Sequence, residues 1–312
     1  MEVAGPTLCM KLEKQVALAP LTWWKIGGPA EHFIQPRDQE ELEQALQWAQ
    51  SQSWPVTVLG GGSNVLIPDE GLPGLVISLR ELRGLKSEII PQEEPPFQRL
   101  CITALAGTPK SDLTKVFLEH KLAPALFLCG LPGDTGGGVV MNAGVSESIQ
   151  PREFVEIVDW VEVLRINSEN SNEASLLRFA NTDLRWTYRH SSGWQPGVIF
   201  RVSLSWPLQP QENIMSEVKL ATRNRLKKQP LNWPSCGSVF KNPEGYKAGA
   251  LIEQSGLKGF SIGQAQVSEL HSNFIINRGG ATAKDVRSLI EHIQNTVRDK
   301  FAVELQTEVR FL

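Results

Sequence analysis

Two hydrophobic periods divide this chain. At helical spacing, Asp38 precedes Leu42, Ala45, Leu46 and Ala49, one apolar face of a capped helix that Trp54-Pro55 ends. A second helix is predicted over residues 111–120, with Leu113, Val116 and Phe117 on one side. A third covers residues 214–228, its row Ile214, Val218, Ala221 and Arg225 stopping ahead of Gln229-Pro230. Residues 248–254 form a short helix with Gly256 past its end, and Thr282-Ala283-Lys284-Asp285 opens a last one in the manner of a capping box, carrying Val286, Leu289, Ile290 and Ile293. Strand-like runs cover residues 56–59 (buried), 65–67, 75–79, 100–105, 155–166, 198–206 and 273–277, and residues 22–34 read as strand, turn, strand about Gly27-Gly28-Pro29. The most regular alternation is the tail. Val303, Leu305, Thr307, Val309 and Phe311 share one face and Glu304, Gln306, Glu308 and Arg310 the other, which predicts a strand. The proline-rich stretch 86–98 reads as a hairpin tip or a subdomain boundary, and residues 167–175 as a loop. The N-terminal βαββ order predicts an α+β chain.

Composition narrows the class. The 312 residues exceed what one ordinary core serves, which predicts two domains or three. A net charge of −3 with interspersed signs leaves a nucleic-acid partner no electrostatic footprint. No apolar run approaches the ~20 residues that span a bilayer, and residues 1–20 lack the pattern of a signal peptide. A cytoplasmic location follows as the expectation, with no membrane insertion. Cys9, Cys101, Cys129 and Cys236 are scattered without a Cys-x-x-Cys pair, so neither a metal site nor a disulfide scaffold is expected.

Candidate chemistry begins with glycine. Gly60-Gly61-Gly62-Ser63-Asn64 follows a strand, where bare backbone lets successive N–H groups approach an anion, with Ser63 and Asn64 as added donors. It is neither a Rossmann fingerprint nor a P-loop, and a tight turn between strands accounts for it as well. A second segment holds Gly130, Gly133, Gly136, Gly137, Gly138 and Gly144 around Pro132, Asn142 and Ala143. Glycine costs ~0.5–1 kcal/mol against alanine in an ordered segment. Close passage under a flat, extended cofactor offsets that cost; so does close-packed backbone at a domain seam.

Ser238, in Ser235-Cys236-Gly237-Ser238-Val239-Phe240-Lys241-Asn242-Pro243, has no hydrolase elbow around it. A hydroxyl can instead protonate a strongly basic carbanion, and a turn hydroxyl bonded to local backbone is the plainer alternative. Arg189, in Tyr188-Arg189-His190-Ser191, suits a substrate carboxylate, or is simply a surface arginine. Glu308 shares a polar face with Glu304 and Gln306, and spacing alone does not single it out. The basic run 223–228, ending at Lys228, suits either a diphosphate or the negative end of a helix.

Taken in order, these motifs are recognisable. With Thr22-Trp23-Trp24-Lys25-Ile26-Gly27-Gly28-Pro29-Ala30 and Val65-Leu66-Ile67, they make nearly the whole chain resemble the UDP-N-acetylenolpyruvoylglucosamine reductase (UDP-N-acetylmuramate dehydrogenase) family of bacterial peptidoglycan synthesis. The resemblance implies a vanillyl-alcohol-oxidase-type (PCMH-type) FAD-binding fold of two subdomains, residues 1–80 and 81–208, plus a C-terminal α/β substrate-binding domain, residues 209–312, with a last strand able to pack on the first subdomain. It implies non-covalent FAD, reduced by NADPH, whose N5 gives hydride to C3 of UDP-N-acetylglucosamine enolpyruvate. Ser238 would protonate C2, and Arg189 and Glu308 would polarise the carboxylate. Gly60, Gly61, Gly62, Ser63, Asn64, Gly130, Leu131, Pro132, Gly133, Gly137, Asn142, Ala143 and Gly144 are the implied cofactor residues. Tyr188, Arg189, Lys228, Lys241 and Asn242 are the implied substrate residues, with no protein partner.

The chain departs from the family at Asp134-Thr135, where a hydroxyl and a β-branched aliphatic are usual; repulsion predicts that Asp134 points away from a pyrophosphate. Gln306-Thr307 replaces Glu-Pro, and Val145-Ser146-Glu147 replaces Ala-Tyr-Gly. Residues 190–237 contain no tyrosine, so the chain resembles the branch without a tyrosine-bearing substrate loop. An FAD-linked oxidase of the same fold and a non-catalytic UDP-sugar-binding module are the competing readings.

Overall fold

The computed structural model describes residues 11–95, 97–146, 149–166 and 174–312. Cys9, Pro96, Glu147 and most of the loop expected at 167–175 lie outside the described residues. In chain order the elements are β1 (Glu13–Ala17), β2 (Pro29–Ile34), α1 (Gln39–Ser51), β3 (Val56–Leu59), β4 (Val65–Leu66), β5 (Leu72–Ser78), β6 (Leu85–Pro91) and β7 (Gln98–Leu105). Then come α2 (Lys110–Glu119), α3 (Pro124–Leu128), α4 (Thr135–Val140), β8 (Val158–Ile166), β9 (Ala174–Ala180), β10 (Arg185–Thr187), β11 (His190–Ser192) and β12 (Val198–Pro207). The chain finishes with α5 (Ile214–Lys228), α6 (Ala248–Gln254), β13 (Ser261–Ile262), β14 (Ala265–Val267), β15 (Ile275–Asn277), α7 (Ala283–Phe301) and β16 (Arg310–Phe311).

Two compact units share these elements. One comprises Phe33–Gly61 and Leu75–Arg223 with the N-terminal segment up to Glu13; the other comprises Lys14–His32, Gly62–Gly74 and Asn224–Leu312. In the first, an antiparallel sheet runs in the order β6-β7-β12-β8-β9. On β7 the buried Leu100, Ile102 and Ala104 alternate with half-buried neighbours, as a strand packed on one face requires. The proline-rich stretch is therefore β6 and the tip of its hairpin with β7, and β6 carries Lys86, Glu88 and Pro91 on an edge. Phe117 of α2, Phe127 of α3 and Phe154 belong to this unit's core, the last two ring to ring at 6.2 Å. Asp38 caps α1 as expected, accepting the Glu41 N–H.

The second unit is built around α7, whose Val286, Leu289, Ile290, Ile293 and Val297 are all buried. Thr282 and Asp285 close the expected capping box at its start. Trp24, Ile26 and Leu66 share this core with Val239, Phe240, Leu305 and Val309. The Trp24 Nε1–H donates to the Ile275 carbonyl at 2.7 Å, and Asn277 Nδ2 donates to the Trp24 carbonyl at 2.9 Å. A small antiparallel sheet, β13-β14-β15, lies beside the helix, and β16 pairs in parallel with β4.

Four expectations fail for identifiable reasons. Only Pro29–Ile34 of residues 22–34 is a strand, because the Thr22 hydroxyl accepts the Ile26 N–H at 3.1 Å and donates to the Ile26 carbonyl at 2.9 Å, closing a turn. β8 begins at Val158, since Glu156 Oε1 accepts the N–H groups of Arg152 and Glu153 and holds a 3₁₀ turn ahead of it. β3 is largely exposed, with only Leu59 buried. The tail keeps its alternation, Leu305 and Val309 buried and Glu304 and Gln306 exposed, yet pairs as a strand only at Arg310–Phe311 and at a single bridge from Thr307 to Phe240. Alternation reports which side faces a core; a ladder also needs a flat neighbour.

Candidate active site

In the first unit the two glycine segments meet. A methyl on Gly61 would lie 2.8 Å from the Gly133 Cα, and one on Gly60 would lie 2.5 Å from Asp134 Oδ2. At Gly61 the clash is with backbone, so the two chain segments are close-packed there by necessity, whereas at Gly60 it is with the Asp134 carboxyl. The Arg80 Nη2 donates to the Gly61 carbonyl at 3.1 Å. Asp134 caps α4 by accepting the Gly137 N–H at 2.7 Å. The Asp134 carboxyl is buried and directed at Gly60 of the first glycine run, one oxygen being committed to the cap. Burial pushes the Asp134 carboxyl above its usual range, against the pull of the Gly137 N–H and the Lys110 ammonium. Burial likewise lowers Lys110 to about 8, against the opposing pull of Asp134.

Further along the same segment, Asn142 is almost fully buried and its backbone is left-handed at φ +38°. Its Nδ2 donates to Glu153 Oε2 at 3.0 Å and to the Thr187 carbonyl at 3.2 Å, while its Oδ1 accepts the Val155 N–H at 3.0 Å. Arg189 sits in the two-residue turn between β10 and β11 at φ +60°, yet only 8% exposed. Its Nη2 donates to the Gly144 carbonyl at 2.9 Å, its Nη1 lies 3.5 Å from Glu153 Oε1, and its guanidinium stands 4.7 Å from the Tyr188 ring centre. A surface arginine is excluded. Glu153, which no sequence signal marked, joins Asn142 to Arg189.

The second unit holds Gly62, Ser63 and Asn64 together with Ser238 and Glu308. Gly62 is required by its φ of +68° and by the Leu21 carbonyl, 2.0 Å from where a methyl would stand. Asn64 Nδ2 donates to the Glu308 carbonyl at 3.0 Å, and the Glu308 N–H donates to the Val239 carbonyl at 2.7 Å. Ser238 is therefore followed by a residue tied to Glu308, which Asn64 holds in turn. On its other side, Asn273 Oδ1 accepts the Phe240 N–H at 2.9 Å, its Nδ2 donates to the Phe240 carbonyl at 2.8 Å, and its carbonyl accepts the Val239 N–H at 2.9 Å. The Ser238 hydroxyl itself has no hydrogen-bond partner among the described residues, so the local turn bond that competed with a chemical role is not made. Glu308 is half-buried where Glu304 and Gln306 are exposed, and its charge adds to the burial that pushes the Cys236 thiol well above its usual range. Burial thus separates Glu308 from Glu304 and Gln306, which spacing could not. Lys228 and Asn242 are exposed and Lys241 half-buried, and Asn242 Oδ1 accepts the Ala248 N–H at 3.0 Å at the start of α6.

Comparison with known proteins shows the family and the fold. Residues 229–312 match the family model of the UDP-N-acetylenolpyruvoylglucosamine reductase C-terminal domain, and residues 30–169 match an FAD binding domain. The chain is 39% identical over 291 residues to a UDP-N-acetylenolpyruvoylglucosamine reductase of Clostridium perfringens (strain SM101 / Type A), covering 93% of this chain and 89% of the relative. It is 40% identical over 309 residues to the reductase of that name from Synechococcus elongatus, covering 98% and 96%. The crystal structure of UDP-N-acetylenolpyruvylglucosamine reductase from Thermus caldophilus matches with a TM-score of 0.73 and 32% identity, over 97% of this chain and 99% of that one. The FAD-binding fold expected from the sequence is thereby shown.

Proposed function

The chain belongs to the UDP-N-acetylenolpyruvoylglucosamine reductase family, and from that premise we propose which of its residues carry the reaction. It is an FAD-dependent oxidoreductase of peptidoglycan synthesis that reduces the enolpyruvyl ether of UDP-N-acetylglucosamine enolpyruvate to UDP-N-acetylmuramate. Its residues fit the cofactor: the contact of Gly60 and Gly61 with residues 133–134 leaves bare backbone, and Asp134 Oδ2 is buried with no hydrogen bond of normal geometry among the described residues. FAD, when bound, supplies the hydride chemistry, and NADPH is assigned as the donor that reduces it. Residues 1–80 and 81–208 are assigned to the flavin and residues 209–312 to the UDP-sugar. No helix among the described residues is long and apolar enough to cross a membrane, and the reaction is assigned to the cytoplasm.

Ser238 gives its hydroxyl proton to C2 of the substrate and regains one from water. The observation that carries this role is a hydroxyl with no hydrogen-bond partner among the described residues, directly ahead of a backbone, Val239-Phe240, that Asn273 and Glu308 fix. An acid of high pKa suits so basic a carbon, and fixed placement removes the cost of orienting it. Arg189 and Glu308 polarise the substrate carboxylate, the guanidinium stabilising charge as it develops. Tyr188, Lys228, Lys241 and Asn242 are assigned to substrate binding. Glu153 holds Arg189 in place. Replacing a charge-assisted contact by a neutral one weakens it by about 1 kcal/mol, so Glu153→Gln is expected to slow substrate-driven flavin reoxidation about fivefold with NADPH-driven reduction unchanged. Stopped-flow traces of the two half-reactions check this.

The reading as a whole is tested without oxygen. NADPH should bleach the visible flavin band, and the enolpyruvyl substrate should restore it with one equivalent of UDP-N-acetylmuramate formed. Recovery only on admitting oxygen would favour the oxidase reading, and a protein that takes up no flavin would favour the binding module.

A further inference from the structure

The two oxygens of Asp134 have different surroundings. Oδ1 accepts the Gly137 N–H at 2.7 Å and caps α4, a task that needs one oxygen and that serine or asparagine performs equally. Oδ2 is buried with no hydrogen-bond partner of normal geometry among the described residues, in a residue only 4% exposed, and it is directed at Gly60, whose missing methyl would lie 2.5 Å away. The Gly61 amide pulls on this carboxyl without a hydrogen bond of normal geometry, and a buried carboxylate oxygen so weakly satisfied is costly, so the position suits a further hydrogen-bonding group. Two charged side chains act on this carboxyl: Lys110 from α2, and Arg80 from the turn Leu79–Glu81, which also donates to the Gly61 carbonyl. The amides of Gly61 and Gly137 and the bridge partner Pro109 complete its surroundings.

A dinucleotide diphosphate carries two negative charges. Lys110 and Arg80 match them only while Asp134 is neutral; an ionised Asp134 would leave one negative charge uncompensated in a buried site. Resting on the assignment of the glycine segments to FAD, we propose that Asp134 is a cofactor-binding residue that enters the complex as a carboxylic acid, its Oδ2–H donating to a diphosphate oxygen. FAD binding then takes up a proton wherever Asp134 is ionised beforehand, and affinity falls as pH rises, by up to about tenfold per pH unit. Burial already biases the free protein toward the protonated form, against the pull of the Gly137 N–H and Lys110.

The test is a fluorescence titration of flavin-stripped protein with FAD between about pH 5.5 and 8.5, a range in which the diphosphate diester itself does not titrate. Asp134→Asn keeps the cap oxygen and places a permanent N–H where the acid proton stands. Its FAD affinity is expected to be flat with pH, close to wild type at the acid end and at least tenfold tighter than wild type at the alkaline end. Asp134→Ser, also a cap former, is expected to be flat too, and it serves if the asparagine variant fails a circular-dichroism check. A wild-type affinity independent of pH overturns the proposal. So does a slope that persists undiminished in both variants, which would assign the proton to Lys110. Wild-type protein that binds no FAD at any pH would instead sink the cradle assignment, and this proposal with it.

Discussion

Ser238→Ala protein is expected to bind FAD and be reduced by NADPH at the wild-type rate, then to stall: reoxidation by the enolpyruvyl substrate should slow by about 10²–10⁴-fold, the range general acid catalysis supplies. The change removes only a hydroxyl that has no hydrogen-bond partner among the described residues, so no buried group is orphaned and stability should hardly move. Rapid-mixing absorbance of each half-reaction separates the two steps. In deuterated water, the wild type should transfer a solvent-derived proton to C2, and the slow residual turnover of the variant should lose facial selectivity there. Normal reoxidation by the alanine protein would remove Ser238 from the chemistry.

Asn273→Ala is expected to cost stability and turnover together. Phe240 is 1% exposed, and both its N–H and its carbonyl are bonded by the Asn273 side chain. Truncation leaves two buried backbone groups unpaired at roughly 1–3 kcal/mol each, so unfolding free energy should fall by about 2–6 kcal/mol in a denaturant titration. Ser238 lies two residues upstream and loses the anchor that fixes its direction. Whatever folded protein remains should therefore reoxidise slowly while its reduction by NADPH is unaffected, a split that a purely global loss would not give. Stability within about 0.5 kcal/mol of wild type would mean that water replaces the amide and that the anchor is dispensable.

Periodicity located α1, α2, α5, α6 and α7 but not the short α3 and α4. Asp38, Thr282 and Asp285 are read at the right caps because N-capping depends on residues three apart in sequence, a purely local relation. The turn at Thr22 was missed because its bonds use one hydroxyl that looks the same in a strand. The tail's alternation predicts more strand than forms, because alternating burial does not require sheet pairing. Among site residues, the glycines, Ser238 and Arg189 could be nominated from sequence, whereas Glu153 and Asn273 could not. Each acts through a partner 33 to 36 residues away, on a backbone whose proximity no local pattern encodes.

By itself the chain determined its helices, its runs of glycine and the family to which its ordered motifs point, since these depend on residue type and short-range spacing. Only tertiary structure decided that Gly61 packs on Gly133, that Asp134 turns inward, that Trp24 and Leu66 share a core with Val239 and Val309, and that Glu308 rather than Glu304 stands beside Cys236. Those outcomes come from burial and from pairing between distant segments, whose free energy exists only once the chain has closed the loops between them.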